Sequence, residues 1–303
     1  MSKSSGPVPA VGEIDASQAP PRYSEAKRFF SVFFGRPLPV IGMIIILVFI
    51  ITAIFAPLLA PYDPYKLNLP NKLQSPSLTH WLGTDSVGRD TLSRVIYGSR
   101  ISLIIAIIAV SISTLVGITL GLIAAFFGGF TYQIIMRFVD ALMAFPMLLL
   151  ALLIASLLGG GMRNVIIALC IGFIAAPARM MCGVATAVKQ NDYILAARSI
   201  GMSNLRTMIR HILPNSFQPL LVMLTVGLGS TILAEAGLSF LGVGINPPTP
   251  AWGSMVNEGY KFLLTNPELC LGPGIAIMLV VFGFNMMGDG LRDALDPRLR
   301  GVI

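Results

Sequence analysis

"ISLIIAIIAVSISTLVGITLGLIAAFF", residues 101–127, carries no charged side chain. As a helix rising about 1.5 Å per residue it is about 40 Å long, more than the roughly 30 Å hydrocarbon core of a bilayer. The whole chain is of the same kind: 55% of its 303 residues are hydrophobic and 12% are charged, and its mean hydropathy is +0.80. One soluble core cannot bury that much apolar side chain. Working outward, comparable runs lie at 38–59, 134–158, 163–188, 214–241 and 270–288. In lipid each segment must satisfy its own backbone hydrogen bonds, and no run alternates as a barrel strand does. The predicted fold is therefore all-α, a polytopic membrane helical bundle of six transmembrane helices. Pro146, Pro177 and Pro219 fall in or near runs and are expected to kink them.

The flanks give the organisation and the sidedness. Residues 1–35 are polar and Pro-, Ser- and Gly-containing, and read as a disordered tail. The first apolar run starts too late and is too long for a cleaved signal, so it is expected to stay as a helix. The segment 36–99 holds that helix and an external connection, 100–291 forms the transmembrane core with a cytoplasmic loop at 191–213, and 292–303 is a cytoplasmic tail. Lys3, Arg22, Lys27, Arg28 and Arg36, then Lys189, Arg198, Arg206 and Arg210, then Arg292, Arg298 and Arg300 all fall on one side if the spans number six. The positive-inside rule makes that side cytoplasmic and places both termini there. Residues 60–100 depart from the rule with Lys66, Lys72, Arg89, Arg94 and Arg100, partly offset by Asp63, Asp85 and Asp90. The net charge of +7 thus belongs to membrane sidedness, and no nucleic acid is expected as a partner.

"ILAARSIGMSNLRTMIRHILPN", residues 194–215, gathers Arg198, Arg206, Arg210 and His211 between two apolar runs. It reads as two short helices, 191–200 and 203–212, with Gly201 as the break and Ser203 capping the second. Leu205, Met208, Ile209 and Ile212 supply apolar faces, and Arg206 and Arg210 stand four residues apart on a common side. A basic helix lying on anionic lipid has these properties; so does a helix filling a groove on a partner.

Other residues carry local readings. Cys170, Cys182 and Cys270 lack paired spacing and read as buried small hydrophobes. With His80 and His211 alone, no metal centre is expected in the chain. Glu235 lies near the outer end of its span in a Gly-, Ala- and Ser-rich neighbourhood; it is a candidate for the outer part of a pathway, or a residue hydrated or paired elsewhere. Asp140 follows Arg137 by three residues, a local pair. Gly83 and Gly88 bracket Asp85, and Arg89-Asp90 precede a helix start; together they read as a local ion-pair cap. Pro247, Pro248 and Pro250 stiffen an external loop that presents Trp252 near the membrane interface, a candidate contact for a soluble partner. Asp289, Asp293 and Asp296 interleave with Arg292, Arg298 and Arg300 at helical spacing. No GxxxxGK[ST] pattern occurs, so a P-loop is not expected and the chain is not expected to be an enzyme.

"AARSIG" (196–201) followed after nine residues by "HILPN" (211–215) resembles the coupling loop of membrane subunits of bacterial ABC importers. "HWLGTDSVGRDTLSRVIYGSRISL" (80–103), "AGLSFLGVGINPPTPAWGSM" (236–255) and "FNMMGDGLRDALDPRLRG" (284–301) resemble the permease family that imports dipeptides, oligopeptides or nickel, in its second, C-type subunit. The family's coupling glutamate falls at Leu195, while Ala196, Ala197, Gly201, Leu213 and Pro214 fit the pattern. The resemblance implies a type I ABC importer permease fold, with Leu195, Ala196, Ala197, Arg198, Gly201, Leu205, Arg206, Arg210, Leu213 and Pro214 coupling to a separate ATPase.

It further implies a second permease chain as heterodimer partner, two ATP-binding subunits, an extracytoplasmic substrate-binding protein, and a place in the bacterial cytoplasmic (inner) membrane. ATP and Mg would belong to the partner ATPase, with no cofactor in this chain. In the implied mechanism ATP binding closes the ATPase pair, the docked loop follows, and the spans rock between inward- and outward-facing states. The cargo expected is a di- or oligopeptide, with nickel or a metal chelate, glutathione or an opine-like solute as alternatives. The rival class, a carrier driven by an ion gradient, tends to show inverted repeats and paired broken helices, and no inverted repeat is evident in the sequence.

Overall fold

Uninterrupted apolar, β-branched-rich runs that cannot hydrogen-bond to lipid close their own bonds as helices. A computed structural model describes residues 25–295 as a helical bundle with one isolated bridge, Thr84 to Asp90. The helices are α1 (Glu25–Phe34), α2 (Pro37–Ile54), α3 (Ala56–Leu59), α4 (Thr91–Phe127), α5 (Gly129–Met143), α6 (Met147–Leu158), α7 (Met162–Phe173) and α8 (Ala175–Lys189). They continue as α9 (Asp192–Ser199), α10 (Asn204–Thr207), a π-helical turn over Met208–Ile212, α11 (Leu213–Asn215), α12 (Phe217–Phe240), α13 (Trp252–Tyr260) and α14 (Glu268–Leu295). Among the described residues, α2, α4, the joined α7–α8, α12 and α14 are each long and apolar enough to cross a bilayer; α5 and α6 together make a sixth crossing.

Helix α4 is the axis of the bundle: at 37 residues it is about 55 Å long, and α2, α7, α8 and α12 all pack along it. Its N-terminus is capped by Asp90, whose carboxylate accepts from the Ser93 amide at 2.8 Å and the Ser93 hydroxyl at 2.7 Å. Small residues set how close α8 can come. A Cβ on Gly121 would lie 2.3 Å from the Ala178 carbonyl oxygen, so only glycine allows that approach. One apolar cluster at the C-terminal end of α4 joins Phe126, Val139, Ala178, Met181 and Ile194, and another, nearer its N-terminal half, joins Ile105, Leu169 and Leu238.

Two expectations need correction. Within the stretch expected to be disordered, residues 25–34 form α1; residues 1–24 lie outside the described residues. Val32 and Phe33 are buried against Leu291 and Ala294 of α14, so the polar-looking tail ends in one apolar face that finds a partner. The run at 134–158 is not a single kinked helix: α5 and α6 meet at 87° across Ala144–Pro146. Pro146 cannot donate to the preceding turn, and α6 packs instead along α7.

Candidate functional site

The 191–213 segment follows α8 and lies at the C-terminal end of α4. Lys189, in the last turn of α8, donates from Nζ to the Ala125 carbonyl at 3.1 Å and the Phe126 carbonyl at 2.7 Å. These are among the C-terminal carbonyls of α4 that lack helical partners, and a cation there also suits the helix dipole. The Arg198 guanidinium of α9 stacks 4.8 Å from the centroid of the Phe126 ring. One long helix end is therefore tied to the segment from both sides.

Helix α9 splits its side chains. Ile194 and Ala197 are buried, while Tyr193, Leu195, Ala196, Arg198 and Ser199 face outward. It ends in the reciprocal pair of bonds that a left-handed residue permits: the Gly201 amide donates to the Arg198 carbonyl at 2.9 Å and the Met202 amide to the Ala197 carbonyl at 3.1 Å. Gly201 has φ +79°, and a Cβ there would meet nothing within 4 Å. The cost of any other residue is thus backbone strain alone. Gly201→Val should strain the turn by about 1–3 kcal/mol, misdirect α10, and cut transport while membrane insertion is unchanged; uptake equal to wild type in whole cells would refute the role of the turn.

Ser203 occupies the cap position of α10 with extended backbone, but its side chain makes no capping bond; its carbonyl instead accepts from the Thr207 amide at 2.9 Å and hydroxyl at 3.1 Å. The second helix is not uniform as expected: α10 widens into the π-turn at Met208–Ile212 before α11. Thr207, Met208 and Ile212 point into the bundle, and Arg206, Arg210 and Pro214 outward, with Leu213 half-buried. Four large apolar side chains are left uncovered: Leu195 at 54% exposure, Ile200 at 80%, Leu205 at 62% and Ile209 at 55%. Of the sequence-predicted coupling residues the structure turns Leu195, Ala196, Arg198, Gly201, Leu205, Arg206, Arg210 and Pro214 outward, buries Ala197 and half-buries Leu213.

The outer candidates fare differently. Pro247 and Pro248 are exposed, but Trp252 is fully buried. Its ring stands edge-on to Phe49 at 5.6 Å, and Nε1 donates to the Val95 carbonyl at 2.9 Å. It is a packing residue between α13 and α4, out of reach of a soluble partner. Glu235 is also fully enclosed. Its carboxylate accepts from Ser239 at 2.8 Å and Ser102 at 3.2 Å, so it joins α12 to α4 and lines no open surface. Asp140 pairs with Arg179 of α8 rather than with Arg137, and Asp293 with Arg36 rather than within its own helix. Asp296, Arg298 and Arg300 lie outside the described residues.

Sequence reasoning expected the ion-pair cap at Asp85, Arg89 and Asp90 but missed Arg94 and Glu258, which make it a larger cluster. Arg89 Nε donates to Asp85 at 2.6 Å and Arg89 Nη2 to Glu258 of α13 at 3.2 Å. Arg94 lies 3.4 Å from both Asp85 and Glu258 and has 1% of its side chain exposed. The signal was present as the departure from the positive-inside rule: Arg89 and Arg94 are buried and paired with Asp85 and Glu258, so neither stands as a free charge.

Residues 117–301 match the family described as the binding-protein-dependent transport system inner membrane component. Residues 24–76 match the N-terminal TM domain of oligopeptide transport permease C. The chain is 44% identical over 263 residues to the dipeptide transport system permease protein DppC of Alkalihalophilus pseudofirmus, covering 87% of this chain and 86% of the relative. It is 42% identical over 275 residues to the glutathione transport system permease protein GsiD of Pectobacterium atrosepticum (90% and 91%), and 43% identical over 274 residues to GsiD of Escherichia coli (90% of each).

Proposed function

This chain belongs to the family of binding-protein-dependent transport system inner membrane components, and on that premise we propose that it is a permease subunit of an ATP-driven importer of short peptides. It forms the translocation path with a second permease chain, receives cargo from an extracytoplasmic binding protein, and takes its energy from two ATP-hydrolysing subunits docked on the 191–213 segment, with ATP and Mg bound there and not in this chain. Both termini face the cytoplasm. Short peptides are the cargo class because the relatives named above handle a dipeptide or glutathione, itself a tripeptide.

The observation that carries this reading is the uncovered apolar set Leu195, Ile200, Leu205 and Ile209 on a segment whose Ile194, Met208 and Ile212 are buried in one cluster with Leu122 and Phe126 of α4. A lipid-lying helix needs an apolar face too, but the family and the rigid tie to a transmembrane helix favour a partner that pushes. The break at Ala144–Pro146 is a device that gradient-driven carriers also use; the family membership decides against that class. Purification in mild detergent should bring down two nucleotide-hydrolysing subunits with this chain, and peptide uptake into liposomes should require ATP inside the compartment facing the coupling segment. Uptake by the isolated chain in ATP-free liposomes would overturn the reading.

A further inference from the structure

Helix α4 is held at both ends by groups from the two surfaces on which the importer's soluble partners would dock. At its outer end Arg94 meets Glu258 of α13 at 3.4 Å, and the Val95 carbonyl accepts from Trp252 of the same helix at 2.9 Å. Arg89, immediately before α4, meets the same Glu258 carboxylate at 3.2 Å. At its inner end the Ala125 and Phe126 carbonyls accept from Lys189, three residues before α9 begins, and Phe126 lies under Arg198. Between these ends α4 runs for 37 residues as one helix. Glycine–backbone contacts with α8 leave it little freedom to bend: hypothetical Cβ atoms on Gly117 and Gly121 come within 2.8 Å and 2.3 Å of α8-side carbonyl oxygens.

We propose that Glu258 and Lys189 are positioning residues for transport: they clamp the outer and inner ends of α4, so that docking of the loaded binding protein on the outer face shifts the coupling segment and stimulates ATP hydrolysis. The inference rests on the importer reading and adds the route by which the two faces communicate. The chemistry suits the task. Glu258, 26% exposed, is the carboxylate of α13 shared by two buried arginines on the α4 side, and a charge-assisted acceptor for two cations has no neutral substitute of equal strength. Lys189 is a donor at a helix C-terminus, where arginine can replace it and methionine cannot. A packed helix moves as a unit rather than deforming, so a displacement imposed at one clamp reaches the other.

The test uses the full transporter in lipid nanodiscs, with this chain, its second permease and both ATPase subunits, and compares ATP hydrolysis with and without peptide-loaded binding protein. Glu258→Gln and Lys189→Met should each keep the basal rate and lower the stimulated-to-basal ratio by about five-fold or more, the lower end of ordinary coupling between sites. Lys189→Arg should restore the ratio. A stimulated-to-basal ratio equal to wild type in Lys189→Met, whether or not the basal rate falls, overturns the proposal, since a purely structural role would lower both rates together. If Glu258→Gln fails to assemble, Lys189→Met and Lys189→Arg decide alone. A wild-type complex that shows no stimulation at all counts against the importer reading itself, a result distinct from the failure of the clamps.

Discussion

Introducing glutamate at both Leu205 and Ile209 should leave this subunit inserted and paired with its second permease but without ATPase, and ATP-dependent uptake should disappear. The two side chains stand four residues apart and are 62% and 55% exposed, so nothing in the chain itself needs them apolar. Burying a leucine or isoleucine is worth roughly 1.5–3 kcal/mol. Losing two of them from the docking surface, and desolvating two carboxylates in their place, should weaken ATPase binding by at least about 100-fold, since each 1.4 kcal/mol is tenfold. Co-purification of tagged ATPase checks this directly. Wild-type recovery of ATPase with the double variant would return the segment to a lipid-surface role. Ile212→Glu is the contrasting case: that side chain is fully buried, and its variant should fail by misfolding.

Trp252→Ala should be the most destabilising single change on the outer side. The indole fills a slot between α13, α2 and α4 with no exposure, and a Cβ on Gly98 would stand 2.7 Å from its ring. Truncating a buried tryptophan costs about 3–5 kcal/mol, with about 1 kcal/mol more for the lost bond to the Val95 carbonyl. The purified complex in detergent should lose its folded fraction at a markedly lower temperature, and Trp252→Phe, which keeps most of the ring but not the donor, should fall in between. An indole at the lipid–water interface would behave otherwise, and an unchanged unfolding temperature in Trp252→Ala would restore that placement.

The transmembrane helices were legible because their signal is a sum over about twenty side chains each, which no single neighbour can reverse. The two-helix shape of the 191–213 segment was legible for a different reason: its turn needs a residue that tolerates positive φ, and Gly201 advertises that locally. What the sequence hid depends on partners far apart in the chain. Glu258 meets Arg94 across 164 positions, and Trp252 reads as an interface aromatic until Gly98 is seen opposite it. Glu235 looked like a pathway residue because a carboxylate in a span invites that reading; the hydroxyls of Ser102 and Ser239 that satisfy it are set by the crossing of α4 and α12. The Arg137–Asp140 pair failed on the same ground, since Arg179 on the packed neighbour comes closer than the residue three positions away.

The right-angled break at Ala144–Pro146 leaves Phe145 57% exposed, and the opening amides of α6 have no acceptor within their own helix. The following helix is 12 residues long, about 18 Å, too short to cross the hydrocarbon by itself. Amides left bare against acyl chains are costly. If the proposed second permease chain covers this break, pulse-chase labelling of this chain expressed alone should find it short-lived, with its lifetime rising as that chain is co-expressed.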